Sequence, residues 1–463
     1  MKKILQKHLV QLILKVILFL LPFGIGFVGF LSVDDESPLW AAYHSIRLYS
    51  LNTDITDLNP LIEIARWLAP VAMCTTLIVL VRSIWTKIQY RLRALSNKSV
   101  SVYGNNSDSE KLLSILGKKG IRGDLEKPLF NKYHILITHD DLAAAKFLDN
   151  YATVFPKKCQ IYICLDEISP LSLQTKLVTA FSLEENSVSD YWSRFPAIKS
   201  EKIALIGCGK LADIMLYKAL LVNIFSENQM IEYHLWNNRG EFLNSRFMSK
   251  TAAVFAGDQI IEHSEDFGHD IIELNHMDRV ILCMSESENL EAASKIRELC
   301  DHPAIYIYSR NSNAVSALYE ESVICYGESE RVLQPEMIMH ERIVENAKKI
   351  NAHYCEMYGG TEWENLSVFL RKSNISAAEY FQIIRRLNES GVSIEQLTRL
   401  EHIRWCRFHF LNNWQYSEKR DNSKRLHPCL RPFDELSPEE QKKDEENVLL
   451  AINNCLNLEV LYD

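Results

Sequence analysis

The stretch that decides the fold runs from Glu201 to Asn238 and reads EKIALIGCGKLADIMLYKALLVNIFSENQMIEYHLWNN. It opens with the apolar run Lys202–Ile206, which has the length of a buried parallel strand. Helical spacing continues from Asp213 to Phe225, and a second strand candidate follows at Met230–Trp236. This order predicts a strand–turn–helix–strand unit of the kind that builds a parallel α/β sheet.

The turn inside this unit has the pattern G-x-G-x-x-A, formed by Gly207, Gly209 and Ala212. In such a turn the first glycine allows the tight bend, the second lets a phosphate approach the backbone, and the small third residue lets helix and strand pack closely. Free N–H groups at the helix start then face the anion. We expect a Rossmann-type unit with a nucleotide at its turn. The alternative is a tight turn that binds nothing.

The overall composition narrows the classes of function. The 463 residues allow three or four domains, and 47% hydrophobic with 24% charged residues is ordinary for a folded protein. A formal net charge of -9 argues against nucleic acid as a partner. The 11 cysteines form no C-x-x-C pair, so neither a disulfide framework nor a metal site is expected.

Two apolar stretches near the start, Leu9–Leu31 and Leu61–Val81, are each long enough to cross a bilayer. Basic residues precede the first and follow the second, whereas the loop between them is acidic and holds a single arginine, Arg47. By the positive-inside rule both termini are cytoplasmic. We therefore expect residues 1–98 to form the two-helix region of a multi-pass protein in the plasma (inner) membrane, with the lipid bilayer as a partner.

The loop over residues 34–60 contains Pro38–Leu51, which can form a short amphipathic helix. Its apolar face would consist of Leu39, Ala42, Tyr43, Ile46 and Tyr49. Two spans that enclose a short helix are also the arrangement of a simple cation-channel pore. However, Ser50–Asp54 does not read as the T-V-G-Y-G filter of potassium channels. The loop is therefore either a degenerate pore or a cap on a membrane anchor.

Residues 99–196 repeat the α/β rhythm, but Gly104 is followed by no second glycine. We expect a degenerate Rossmann-like half that packs rather than binds. Further strand-like runs follow the central unit, at Asp278–Met284, Ala304–Tyr308 and Ser322–Tyr326. The expected fold is thus a membrane α-hairpin, an α/β Rossmann-like tandem whose second half (197–338) binds nucleotide, and a mainly helical domain (339–463).

The second half resembles the TrkA N-terminal (RCK) domains, which are nucleotide-binding regulators of potassium channels and transporters. The resemblance rests on Gly207–Ala212 and on Ser285–Leu290 after the fourth strand, with Arg310, Gly327 and Pro335 further on. It implies assembly as a homo-oligomer. The ligand contacts that the resemblance implies are Gly207, Gly209, Lys210, Ala212, Ser285 and Asn289. We add the residues that follow the second strand, Asn237, Asn238 and Arg239.

One departure bears on the cofactor. Dinucleotide folds place an acid after the second strand to hold the ribose hydroxyls, and here Asn237, Asn238 and Arg239 stand there. The amides can still bond a ribose, and Arg239 can meet a phosphate or remain a solvated loop residue. The nucleotide is therefore left open among NAD(H), ATP or ADP, and a cyclic nucleotide.

The C-terminal domain shows three capping-box patterns, at Ser376–Glu379, Ser393–Gln396 and Ser437–Glu440. Between the last two, Leu400–Leu436 contains E-H-x-x-W, then W-x-Y, R-D and H-P-x-L-x-P-x-x-x-L, and resembles the ryanodine-receptor (RyR) repeat domain. Asn413 and Ser417 stand where that family has glycines beside the second tryptophan and the tyrosine.

Aromatic rings and cations in this run suit a flat, negatively charged ligand, because rings stack on a base while cations take phosphate. The alternative is that the tryptophans belong to the core and the cations to its rim. The candidate second ligand site comprises Arg404, Trp405, Trp414, Tyr416, Arg420, Asp421, Lys424 and His427.

These features predict a membrane-anchored nucleotide-sensing regulator, channel-like or acting on ion transport of the potassium type. An alternative is a nucleotide-activated membrane effector of an anti-phage defence system. A third possibility is a membrane-bound NAD(P)-dependent oxidoreductase. No Tyr-x-x-x-Lys dyad occurs and no acid–base pair stands near the turn, so we expect no catalytic residue and no enzyme.

Overall fold

A computed structural model of the chain describes residues 17, 19–33, 37–50, 59–94, 99–129, 131–155, 159–166, 177–236, 250–255, 257–320, 322–339 and 341–453. The predicted ligand contacts Asn237, Asn238 and Arg239 lie outside these residues. The chain forms two compact units, Met1–Ser96 and Asn97–Asp463.

The first unit contains the helices α1 (Phe19–Leu31), α2 (Pro38–Arg47) and α3 (Pro60–Ala94). Within α3, Pro60–Ile78 is long and apolar enough to cross a membrane, whereas the described apolar part of α1 is shorter. The described residues therefore hold one candidate span where the sequence predicted two, and the start of the other predicted span lies outside them.

Helix α2 carries the predicted apolar face on its outer side. Leu39, Tyr43 and Ile46 are 83%, 59% and 62% exposed. The helix instead packs through Ala41, which lies in a small core with residues of α1 and α3. Because an alanine permits close approach of the helices, this smaller face fits the hairpin better than the bulky one.

The second unit begins with a five-stranded parallel sheet in the order β2-β1-β3-β4-β5. Its strands and the helices α4 and α5 that follow β1 and β3 are β1 (Val100–Tyr103), α4 (Ser107–Leu116), β2 (Gly120–Arg122), β3 (Tyr133–Leu136), α5 (Asp141–Tyr151), β4 (Gln160–Cys164) and β5 (Val178–Phe181). This order is that of a doubly wound layer. The strands β2 and β5 were not predicted from the sequence.

A second sheet has six parallel strands in the order β11-β10-β9-β6-β7-β8. Its strands are β6 (Lys202–Ile206), β7 (Glu232–Trp236), β8 (Gln259–His263), β9 (Arg279–Leu282), β10 (Ala304–Tyr308) and β11 (Val323–Tyr326). Its helices are α6 (Leu183–Arg194), α7 (Lys210–Val222), α8 (Ile271–Leu274), α9 (Glu286–Leu299), α10 (Ser312–Tyr319) and α11 (Ser329–Val332). Numbered within the sheet, the order is 6-5-4-1-2-3, the arrangement of a dinucleotide-binding fold. The prediction of an α/β Rossmann-like layer is confirmed.

The C-terminal part is helical, as predicted. Its elements are α12 (Pro335–Met339), α13 (Glu341–Tyr358), α14 (Val368–Glu389), α15 (Ile394–Leu411), β12 (Gln415–Tyr416), β13 (Leu426–His427) and α16 (Pro438–Asn453). Ser393 forms the predicted capping box at the start of α15. The box predicted at Ser376 is wrong, because α14 already begins at Val368 with Ser367 as its cap, and Ser376 instead accepts a hydrogen bond from Arg404.

One continuous core joins this helical part to the second sheet. At its centre Arg407 Nη2 lies 2.7 Å from Asp258 Oδ2, and both side chains are fully buried. The same guanidinium donates to the carbonyl oxygens of Leu220 and Ala253. The sheet and the helices of this unit are therefore held together by a buried ion pair as well as by apolar packing.

Candidate functional site

The glycine turn lies where the second sheet reverses its strand order, between β6 and β9. Gly207 has a φ of 134°, and a Cβ there would lie 2.7 Å from the carbonyl oxygen of Cys283 at the end of β9. Only glycine fits this approach. Crevices at such reversal points, outside the carboxyl ends of the strands, are where doubly wound sheets bind ligands.

Gly209 forms the open side of the turn. It has a φ of 117°, caps helix α7 without any side-chain hydrogen bond, and would bring a Cβ near no other atom. Ala212, which is 9% exposed, packs into the core on the other side. The first turn of α7 thus presents backbone N–H groups beside open space, which is an arrangement that favours anions.

Lys210, the first residue of α7, points toward the first sheet. Its Nζ donates to the carbonyl oxygen of Asp166 and lies 3.5 Å from Glu184 Oε2. Lys210, which was predicted to contact the ligand, is therefore already engaged by the segment after β4 and by α6.

Ser285 and Asn289 support the loop after β9. Ser285 caps helix α9 in a capping box with Glu288. The Asn289 side chain accepts from the Met284 N–H and donates to the carbonyl oxygens of Met284 and Tyr308, at 3.0 to 3.1 Å. These bonds fix the ends of β9 and β10. A direct ligand contact by either residue stays a prediction.

A charged cluster links the carboxyl ends of the two sheets, and sequence reasoning missed it. His139, which has a φ of 52°, bonds Asp108 at 3.1 Å and Asp166 at 2.8 Å. Arg310, after β10, lies 3.0 Å from the same Asp108. The hydrogen bonds to Asp108 and Asp166 raise the pKa of His139 to about 9, so the imidazole is charged at neutral pH. The only sequence signal was polar residues at several strand ends.

A cavity of about 800 Å³ lies in the helical part. Five of the predicted second-site residues line it, namely Arg404, Trp405, Trp414, Arg420 and His427. Helix α13 and the segment after it supply the opposite wall, through side chains such as Asn351 and Tyr354. That wall was not predicted, because nothing in its sequence separates a lining residue from an ordinary amphipathic helix.

Three predicted residues do not line the cavity. Tyr416 is 49% exposed, with Arg431 over its ring at 5.8 Å. Asp421 accepts from Ser423 and from the Lys424 backbone and thereby shapes a turn. Lys424 is exposed and lies 3.8 Å from Asp421. A ligand contact by any of these three residues stays a prediction.

Arg404 lines the cavity as part of a neutralised pair. Its guanidinium donates twice to Glu401 at 2.7 Å, and the side chain is 1% exposed. By contrast, Arg420 and Arg425 line the cavity without an ion-pair partner among the described carboxylates; Arg420 bonds Asn422, and Arg425 bonds the carbonyl oxygen of Asn412. Both arginines are exposed, and the lining also holds three carboxylates that pair with other lining residues, namely Glu440 with Lys443, Asp444 with His402 and Glu446 with His353.

His402 and Asp444 anchor the floor of the cavity. His402 donates from Nδ1 to Asp444 and from Nε2 to the carbonyl oxygen of Arg431, at 3.0 and 2.8 Å. Burial lowers the pKa of His402, but the bond to Asp444 outweighs burial and raises it to about 11. This histidine therefore holds structure, which explains the E-H pair of the motif.

Comparison with known proteins gives one family match and one structural likeness of note. Among solved structures, a shikimate 5-dehydrogenase from Listeria monocytogenes, solved in complex with shikimate and NAD, aligns at 9% identity and a TM-score of 0.32, covering 52% of this chain and 92% of that one. No curated protein matches the chain. The resemblance to RCK domains stays a prediction.

The expectation that the chain is not an enzyme is wrong as an exclusion, because the aligned structure is that of a dehydrogenase. The missing Tyr-x-x-x-Lys dyad is no ground for excluding catalysis on a fold of this class. Over residues 386–461 the chain matches the family model of the RyR domain, which confirms that part of the sequence-based recognition.

Proposed function

We propose that this chain is a membrane-attached nucleotide sensor, in which a nucleotide at the glycine turn and a second ligand in the RyR-like cavity regulate the membrane region. The observation that carries the proposal is the turn itself. It stands at the strand-order reversal of a six-stranded parallel sheet, and its second glycine borders open space at an uncapped helix start.

The cavity supports a second ligand. Aromatic rings and two arginines without acidic partners surround a space of about 800 Å³, the size range of small-molecule sites. Both arginines are exposed, and their guanidinium groups at the rim of the cavity could bind a ligand that carries a negative group.

Membrane attachment is supported by two features of the first unit. Pro60–Ile78 can span a bilayer, and only 17% of that window is buried. The bulky side chains of Leu39, Tyr43 and Ile46 face outward, where a lipid environment would accommodate them. The output we propose is ion flow of the potassium type, with membrane disruption in an anti-phage response as the alternative, in a homo-oligomer.

The first test is ligand-dependent melting of the full chain in detergent, with NAD, ATP, ADP and cyclic nucleotides as probes. A ligand at about 100 times its Kd stabilises the folded state by about 2.7 kcal/mol, so the melting temperature should rise. Gly209→Asp places a carboxylate in the open side of the turn and should abolish the rise caused by the nucleotide that binds there.

The matched control is Gly391→Asp. Gly391 also has a positive φ, 94°, and a Cβ there would likewise meet no atom within 4 Å, so the backbone strain is comparable while the site differs. This variant should keep the ligand-dependent shift. An unchanged shift in Gly209→Asp would contradict the proposed turn site.

The second test addresses the output. The full chain in pure liposomes should show conductance or leakage that depends on the nucleotide identified by melting, and Gly209→Asp should remove that dependence. Ligand binding with no change in permeability would leave the sensor without the proposed effect on the membrane and would overturn that part of the proposal.

A further inference from the structure

Four rings form one wall of the RyR-like cavity. They belong to Trp405, His409, Trp414 and His427, and all four residues line the space. Neighbouring centroids lie 3.9 Å apart for Trp405 and His409, 5.4 Å for His409 and Trp414, 5.0 Å for Trp405 and His427, and 5.9 Å for the two histidines. His409 was not among the predicted site residues, and its position gives the wall a second polar ring.

The tautomer of His409 follows from its bond to the backbone. Its Nδ1 lies 2.8 Å from the carbonyl oxygen of Trp405. A carbonyl can only accept, so Nδ1 carries the proton. Nε2 of the neutral ring is then an acceptor, and it makes no hydrogen bond to the described residues.

His427 has the opposite arrangement. Its Nδ1 lies 3.1 Å from the Cys429 backbone nitrogen, which donates, so Nδ1 is the acceptor. The proton of the neutral ring is therefore on Nε2. This Nε2–H also makes no hydrogen bond to the described residues. The cavity thus holds one acceptor and one donor on neighbouring rings, both without a protein partner in the described part of the chain.

Both rings stay neutral near pH 7. Burial lowers the pKa of His409 to about 3 and that of His427 to about 4, and the positive charge of Arg420 acts in the same direction on both. The donor and the acceptor therefore keep their roles over the physiological range.

We propose that His409 and His427 recognise the edge of a purine base in this cavity, one nitrogen accepting from and the other donating to adjacent groups of the base. This deepens, and rests on, the proposed role of the cavity as a ligand site. Adenine offers such a pair at its 6-amino group and N1 or N7, and guanine offers one at N1–H and O6. Trp405 is partly buried in the wall and offers a flat surface for stacking, whereas Trp414 is 6% exposed and its ring already stacks on that of Phe369 at 5.2 Å.

The phosphate of the nucleotide would be bound by positively charged side chains of the cavity. Arg420 and Arg425 line the same cavity, and neither has an acidic partner among the described residues. Guanidinium groups bind phosphate through paired donors. The ligand class is therefore a purine nucleotide, with its base at the histidine pair and its phosphate toward the arginines.

The test compares AMP and GMP with purine riboside 5′-monophosphate, which has the same ring system, ribose and phosphate but no substituent at position 6. Affinities are measured by calorimetry on the full chain in detergent carrying Gly209→Asp, so that the glycine turn does not contribute, with the unsubstituted chain alongside. We expect AMP or GMP to bind at least about tenfold more tightly, because an unmet buried donor or acceptor costs about 1–3 kcal/mol.

His409→Phe keeps a ring on the wall and removes the acceptor, so the preference should fall to about twofold or less. The control is His302→Phe, at a histidine that does not line the cavity and whose Nδ1 likewise bonds a backbone carbonyl oxygen, that of Met277, at 3.1 Å. It should retain the preference. Equal binding of all three probes, or an undiminished preference in His409→Phe, would overturn the edge recognition while the ligand role stands. Binding of none of them would overturn both.

Discussion

At the scale of single residues, the contacts of His139 between the two sheets should make the stability of the fold depend on pH. The imidazole is held between Asp108 and Asp166, and its pKa is raised from 6.5 to about 9. A raised folded-state pKa gives stabilisation that is complete below the unfolded value and is lost as the pH rises through the folded value. His139 therefore stabilises the fold fully below about pH 6.5 and progressively less up to about pH 9.

The corresponding prediction concerns His139→Gln. The apparent melting temperature of the unsubstituted chain should exceed that of the variant most at pH 6, and the difference should shrink toward pH 9.5. Melting curves at half-unit pH steps measure it. His276→Gln, at an exposed position, should give no such trend. A difference that stays constant with pH would show that His139 contributes packing alone.

Two of the predicted site residues also support the structure, and they have one feature in common. Arg404 and Asn289 are of the types that hold ligands, and both lie near a candidate site. Their donors, however, are taken by Glu401 and Ser376 or by the backbone carbonyls of two strand ends. A sequence states which groups can bond but not which partner is nearer, so the assignment needed the structure.

At the scale of elements, the strand–turn–helix at the centre was predictable because every local signal agreed. The apolar run, the two glycines and the helical spacing each favour the same unit. Strand β6 has the predicted bounds, whereas α7 ends at Val222 and not at the predicted Phe225. Strand β8 was missed because QIIEH is short and half exposed, and β2 was missed because its three residues, of which the first is a glycine, carry too little pattern. Their partners in the sheet determine these strands more than their own sequence does.

The two glycines of the turn should respond differently to one added methyl group. Gly207→Ala would bring its Cβ to 2.7 Å from the Cys283 carbonyl, on a strand that cannot move without disturbing the sheet. Gly209→Ala meets no atom and suffers only the unfavourable φ. We expect Gly207→Ala to lower the apparent melting temperature clearly more than Gly209→Ala does, because the clash at Gly207 adds to the cost of the unfavourable φ. Equal effects would mean that β9 does not constrain the turn.

At the scale of the whole second unit, the pair of Arg407 and Asp258 determines whether the helical part stays joined to the sheet. Removing one partner of a buried pair costs about 3–5 kcal/mol, because the other charge remains buried. Arg407→Met should therefore lower the apparent melting temperature of the full chain by about 5 °C or more.

Arg386→Met provides the comparison. Arg386 also contacts another element, through the Ser193 carbonyl at 2.9 Å, but it is exposed, so its loss should change melting by about a degree. A small effect of Arg407→Met would show that apolar packing alone holds the two parts together. Composition and periodicity predicted both parts, yet neither predicted that a single core runs through them, because contacts between distant segments leave no local pattern.

Lys210 extends from the start of α7 to the Asp166 carbonyl and Glu184, so the ammonium that an incoming phosphate would attract is the one that ties the preceding layer to the turn. A phosphate bound at the turn would therefore compete with Asp166 and Glu184 for the single positive charge of Lys210. A ligand that attracted this ammonium would therefore break the contact of Lys210 with Asp166 and Glu184 directly, and no chain of intermediate side chains would be needed.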